Sequence, residues 1–171
     1  MCMPGKNVLM VISPDKFRDE EYFVTREILE KAGHIIALAS STGTEARSMF
    51  GKIVKPDLNF LQVDSSKYDA IVFVGGSGAS VYFNSTEAHR LAKEFYQAGK
   101  IVAAICIAPS ILANAGILSG KKATAYPSER DNINAFGEYT GSLIEVDGNI
   151  VTANGPEAAS AFGERLVSML G

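Results

Sequence analysis

One stretch limits the folds open to this chain more than any other: Lys100-Ile101-Val102-Ala103-Ala104-Ile105-Cys106-Ile107-Ala108-Pro109. It begins as an apolar, partly β-branched run, the pattern of a strand buried on both faces. It ends in a cysteine with an alanine two residues away on each side, followed by proline and a helical pattern. A sharp strand-to-helix turn requires small residues there, because larger side chains would collide as the backbone doubles back. The nucleophile elbow G-x-S-x-G meets the same demand, and Ala104-x-Cys106-x-Ala108 is a looser version carrying sulfur. Pro109 suits the first turn of a helix, where an N–H has no partner to lose. Cys106 is then expected at a helix N-terminus, which favours thiolate over thiol. The alternative is a packed core cysteine, since free Cys is among the most buried residue types.

The rest of the chain supports one soluble domain spanning 1–171, long enough to enclose a core. The net charge of -3 gives no attraction to nucleic acid or to an acidic membrane surface. The first residues lack the basic and long apolar regions of a signal peptide, and Val8–Ile12 is too short to span a bilayer. With two cysteines, one of them Cys2 near the start, a disulfide framework is not expected. A cytoplasmic setting follows as an expectation.

Read in order, Asn7–Ile12 is a buried strand ended by Ser13-Pro14-Asp15, with a charged loop over Pro14–Glu20. A helix is predicted from Asp19 to Lys31, with Val24, Ile28 and Ala32 on its inner face and Gly33 as its stop. His34–Ala39 and Tyr68–Val74 read as further buried strands, and Lys52–Val63 as short strands or a hairpin outside the main repeat. A second helix, Thr86–Ala98, places Ala88, Leu91, Ala92 and Phe95 on one stripe. After the elbow and its short helix come a strand over Lys122–Tyr126 and a helical turn over Ser128–Phe136. A hairpin turning at Asp147-Gly148 follows, and then a last helix from Pro156 with Phe162, Leu166 and Met169 inward. Alternating strands and helices give an α/β fold, a mostly parallel sheet with helices on both faces. Ligands bind such sheets at the carboxyl ends of strands. The loop after Ile12, the glycines after Val74 and Cys106 therefore belong to one rim.

Few groups can activate the sulfur. Of the two histidines, His34 starts a strand at the opposite rim and His89 is expected on a solvated helix face. No His/Cys spacing matches a metal site, and Gly75-Gly76-Ser77-Gly78 lacks the third glycine of a dinucleotide loop. Those glycines can instead let another backbone approach, with N–H groups that hold an oxyanion. The remaining candidates are the carboxylates Asp15, Asp19, Glu20 and Glu21, which could equally be solvated first-turn acids. A carboxylic acid kept protonated beside a thiolate donates a hydrogen bond to it and can then move protons.

These residues together resemble the ThiJ/PfpI superfamily, with its class I glutamine amidotransferase-like, flavodoxin-type fold. The matching pieces are Glu21 before Ala32-Gly33, then Ile71-Val72-Phe73-Val74-Gly75-Gly76 and Ala103-Ala104-Ile105-Cys106-Ile107-Ala108-Pro109. Leu112-Ala113-Asn114-Ala115-Gly116-Ile117-Leu118-Ser119-Gly120-Lys121-Lys122, Tyr126-Pro127 and Val146-Asp147-Gly148-Asn149 continue the match in the family's order. The resemblance implies a flavodoxin-like three-layer α/β/α sandwich with a Cys nucleophile elbow. It puts the family's elbow cysteine on Cys106, its conserved glutamate on Glu21 and its oxyanion-binding glycine on Gly75 or Gly76. Tyr126 becomes a candidate substrate contact, in a region that also holds Arg130 and Asp131.

The protease branch carries a His where this chain has Ile107, and draws an acid from a neighbouring subunit where this chain reads Ser77-Gly78-Ala79-Ser80. A second branch has a His where this chain offers Glu138 and Tyr139. The implied chemistry is covalent attack by Cys106 on a small reactive carbonyl compound, glyoxalase- or deglycase-like, with no cofactor and no metal. The alternatives are a redox sensor acting through Cys106 oxidation and, more remotely, a cysteine peptidase or amidase. A homo-oligomer, dimer or hexamer, is implied as well. The Cys106 thiol is expected to ionise at about 4–7, and at a higher value once Glu21 is removed.

Overall fold

Buried apolar runs become strands here because their side chains can be covered on both faces, and amphipathic stretches supply the cover. The computed structural model describes residues 4–171, so Cys2 lies outside the described residues. In chain order the strands are β1 (Asn7–Val11), β2 (Asp15–Phe17), β3 (Ile35–Ser40), β4 (Ala46–Ser48), β5 (Ile53–Val54) and β6 (Leu58–Asn59). They continue with β7 (Ala70–Phe73), β8 (Ile101–Ile105), β9 (Lys122–Ala123), β10 (Glu138–Tyr139), β11 (Ile144–Asp147) and β12 (Ile150–Ala153). The helices are α1 (Asp19–Lys31), α2 (Thr86–Gln97), α3 (Pro109–Asn114), α4 (Arg130–Phe136) and α5 (Ala159–Leu170).

Seven strands form the central sheet in the order β11-β12-β8-β7-β1-β3-β6. All neighbours pair in parallel except β11 with β12, the hairpin expected at Asp147-Gly148. Alternate strand residues point to opposite faces. Leu9, Ile71, Phe73 and Val102 pack with Leu91, Phe95 and Leu112 of α2 and α3 on one side. Val8, Met10, Val72 and Ile105 pack with Tyr22, Leu29, Phe162 and Leu166 of α1 and α5 on the other. The architecture is thus the expected three-layer α/β/α sandwich.

Several details differ from the sequence reading. The inner face of α1 is not Val24, Ile28 and Ala32: Asp19, Glu21, Tyr22, Thr25 and Leu29 are the buried positions, and Ala32 is exposed. Ile28 instead meets α5 at Gly163, where an added Cβ would come within 3.1 Å of it. On α5 the third inward residue is Leu170, with Met169 only partly covered. The charged loop before α1 contains a strand, β2, which pairs with β4, and β4 pairs with β5 in a small separate sheet. The segment expected outside the main repeat also supplies β6, the edge of the central sheet. The strand over Lys122–Tyr126 shrinks to two residues.

Candidate active site

Because β1, β7, β8 and β12 run parallel, the segments that follow them leave the sheet at one rim. There the backbone turns at Cys106 with φ +67°, a left-handed conformation that a side chain rarely adopts. Such strain costs roughly 1–3 kcal/mol and persists only where its surroundings hold it. Here the Cys106 N–H donates to the Ala153 carbonyl at 2.9 Å, and the Tyr126 N–H donates to the Cys106 carbonyl at 2.8 Å. The elbow is therefore clamped from both sides. The helix behind it, α3, has only six residues, so its dipole is a weak source of positive potential. The N–H groups of Gly76 and Ile107 take that part, since both bear on the sulfur and favour its anion.

The residue is 8 % exposed, and its open side lines a cavity of about 610 Å³. Around it lie Arg18, Gly76, Ile107, Tyr126, Asn154 and Glu157, among others. Gly75 sits behind, where only a hydrogen fits: a Cβ would lie 2.4 Å from Glu21 Oε1, 2.6 Å from the Ile105 carbonyl oxygen and 2.7 Å from Cys106 Cβ. The same spacing shows how tightly the carboxyl and the thiol are brought together. Gly76, at φ +104°, faces the backbone of Lys16–Arg18 at comparable range and could not carry a side chain either.

Glu21 is fully buried on the first turn of α1. Neither carboxyl oxygen meets hydrogen-bond geometry with a partner; the Cys106 thiol and the Gly75 N–H are the polar groups that act on it most. Burial raises its pKa to about 7, against the pull of those two groups and of the Arg18 charge. The expectation of a thiol ionising at about 4–7 does not hold for Cys106 itself. Burial first, and the Glu21 charge second, push Cys106 up to about 12, against the Gly76 and Ile107 N–H groups. The physical reason is that two anions cannot sit side by side in a dry site. The pair consequently titrates as one unit, losing one proton near neutrality and holding the second far above it. The single negative charge left at neutral pH can sit on oxygen or on sulfur.

The other first-turn carboxylates are occupied elsewhere or exposed. Asp19 accepts from Ser48 Oγ at 2.6 Å and from the Phe50 N–H at 3.1 Å, Glu20 pairs with Arg18 at 2.5 Å, and Asp15 is exposed. Neither histidine lines the cavity. His34 accepts the Lys6 N–H at 3.0 Å. His89 is not freely solvated as expected: it is half-buried, its Nε2 donating at 2.7 Å to the Phe83 carbonyl in the loop before α2. Arg130, Asp131, Glu138 and Tyr139 do not line the cavity, whereas Tyr126 does, at 47 % exposure. Among the described residues no three His, Cys, Asp or Glu side chains cluster as metal ligands, and no helix is long and apolar enough to cross a membrane.

Arg18 and the lip Asn154–Glu157 are cavity residues that the sequence reading missed. Their signal was topological: Asn154 directly follows β12, a strand that the elbow strand pairs in parallel.

Comparison with known proteins decides the family, for the DJ-1/PfpI family matches residues 6–169. The chain belongs to the DJ-1/PfpI family. An uncharacterized protein of Methanocaldococcus jannaschii is 42% identical over 165 residues, covering 94% of this chain and 80% of its own. A deglycase of Pyrococcus abyssi is 32% identical over 163 residues, covering 95% and 98%. Among solved structures, a ThiJ/PfpI domain protein from Brachyspira murdochii superposes with a TM-score of 0.95 at 35% identity, covering 98% of each chain. Family membership agrees with the elbow, with the flavodoxin-like sheet order and with the strained cysteine at its rim.

Proposed function

We propose that the protein is an enzyme that attacks small reactive carbonyl compounds through Cys106, with a glyoxalase- or deglycase-like outcome. The observation that carries this reading is the buried Glu21 carboxyl packed beside a strained thiol that opens on a cavity. With the proton on Glu21, sulfur is the anion, held by the Gly76 and Ile107 N–H groups. Sulfur then adds to the aldehyde carbon of a 2-oxoaldehyde. A carbon–sulfur bond forms, the carbonyl π pair moves to oxygen, and Glu21 gives that oxygen its proton. The product is a hemithioacetal, with Glu21 left as a carboxylate able to take a proton back in the next step. Tyr126 lies on the cavity wall where the rest of the substrate would rest. No step calls for a metal or a cofactor.

Turnover of methylglyoxal by the purified protein tests this. Cys106→Ser is expected to lower the rate by at least about a thousandfold, because the hydroxyl of serine is far less acidic than a thiol. Undiminished turnover in that variant overturns the reading.

The acid beside the sulfur also favours a second role, sensing of oxidants. Among the described residues both Glu21 oxygens are without a partner and can hydrogen-bond to an oxidised sulfur. Gain of two oxygens at Cys106 under mild peroxide, without carbonyl turnover, would select that role instead. We take residues 1–171 as one domain acting in the cytoplasm on small molecules, without nucleic acid or membrane as partner. A homo-oligomer is supported by exposed Ile53 on β5 and by exposed Phe50 in the turn before it, which shares a surface hollow with Phe23 and Val24 of α1 and follows the cavity residue Met49.

A further inference from the structure

Two charged side chains line the cavity, Arg18 on one side and Glu157 on the lip that follows β12. They are held differently. Arg18 is fixed at its backbone, where its N–H donates to the Gly75 carbonyl at 3.0 Å, next to the loop whose Gly76 N–H faces the sulfur. Its side chain is fixed as well: Nε donates to Glu20 at 2.5 Å, and the guanidinium carbon lies 5.1 Å from the centre of the Phe50 ring. Among the described residues that is the guanidinium's one hydrogen bond, so both terminal NH₂ groups keep their donors. The side chain is 29% exposed and its charge is felt at both Glu21 and Cys106. Glu157 is exposed, and is not among the main influences on the sulfur.

A guanidinium with its fork unspent, preset beside a nucleophile, matches a carboxylate in two parallel hydrogen bonds. We propose that Arg18 makes this cavity selective for electrophiles bearing a carboxylate directly on the carbon attacked, such as 2-oxo acids attacked at their oxo carbon. The inference rests on the thiol chemistry proposed above. Arg18 holds the carboxylate while sulfur forms its bond to the neighbouring carbonyl carbon; the π pair goes to oxygen, which takes the Glu21 proton. Glu20 offsets part of the Arg18 charge, and Glu157, which lines the same cavity, opposes the same ligand. The selectivity is therefore a matter of several-fold rather than of orders of magnitude.

Paired alkylating reagents separate this inference from the one beneath it. Iodoacetate and iodoacetamide both place an S–CH₂ bond on Cys106 and release iodide with the bonding pair; they differ in the carboxylate. Both report on the same thiolate, so the ratio of their second-order rate constants cancels any change in its population. In Arg18→Gln the iodoacetate-to-iodoacetamide ratio is expected to fall roughly three- to tenfold. Arg18→Lys should keep most of it, Glu157→Gln should raise it, and high salt should bring the unmodified protein toward the Arg18→Gln value. If Arg18→Gln proves unstable, the lysine variant and the salt series carry the test alone. Normal iodoacetamide labelling with a ratio unmoved by Arg18→Gln, or by salt, overturns the role of Arg18 and leaves the reactive thiol standing. Failure of both reagents to label Cys106 overturns both.

Discussion

The two helices that flank β1 and β7 from opposite faces obey different rules. Helix α2 is built as its sequence pattern demands: Ala88, Leu91, Ala92 and Phe95 are all buried, and Ser85 caps its start by accepting the Ala88 N–H at 3.2 Å. Helix α1 has no side-chain cap, and it buries Glu21 and Thr25 with their oxygens lacking partners. An apolar residue at position 21 would be cheaper to bury, by up to the cost of desolvating a carboxylate. Stability has been given up on α1, and at Glu21 it is given up beside the sulfur.

The largest effect is expected on the orthodox side. Phe95→Ala removes a fully buried ring and should cost about 3–5 kcal/mol in denaturant unfolding, while leaving the pH profile of Cys106 labelling in place. A shifted profile would mean that the two faces are not independent.

On the other side the sign reverses. Glu21 ionises at about 7 when folded and near 4.5 when free, so between those values the folded chain binds the extra proton. Stability contributed by this group is therefore full below about pH 4.5 and is lost as pH rises through 7. The ceiling on that loss is about 3 kcal/mol at 1.36 kcal/mol for each unit. Glu21→Gln is accordingly expected to stabilise the protein by about 1–3 kcal/mol at pH 8, with the gain shrinking to nothing below pH 4.5. Destabilisation at pH 8 would break the comparison. Smallest is the cap: Ser85→Ala should cost about 1 kcal/mol with labelling unchanged, as measured by the unfolding midpoint.

The same contrast explains what could be read from sequence. The 3.6-residue stripe gave α2 to within one residue, because every inward position was apolar and nothing competed. On α1 the apolar residues Val24 and Ile28 pointed to the wrong face, Ile28 meeting α5 at Gly163, and buried Glu21 and Thr25 carried no hydrophobic signal. Cys106 was legible because an elbow needs small neighbours, and Glu21 only through the resemblance. The strand β2 was not legible, since three residues leave no period to detect, and β6 lay in a segment expected to form short strands but not to join the central sheet. Arg18 escaped notice for a related reason: what it faces is set by strands far from it in sequence. The sulfur's acidity was misjudged because its burial, the first cause that raises it, leaves no mark in the sequence.

The account turns on the proton that Glu21 and Cys106 share, and the rate of Cys106 alkylation by iodoacetamide against pH tests it most directly. The prediction is a rise with a midpoint near 7 in the unmodified protein, where the pair loses its first proton. In Glu21→Gln the midpoint should move above the ordinary thiol value of about 8.5, because burial then acts on the sulfur with no carboxylate beside it to take its proton. An identical midpoint in the two proteins, or a rise in the unmodified protein that begins only above pH 9, would contradict the account.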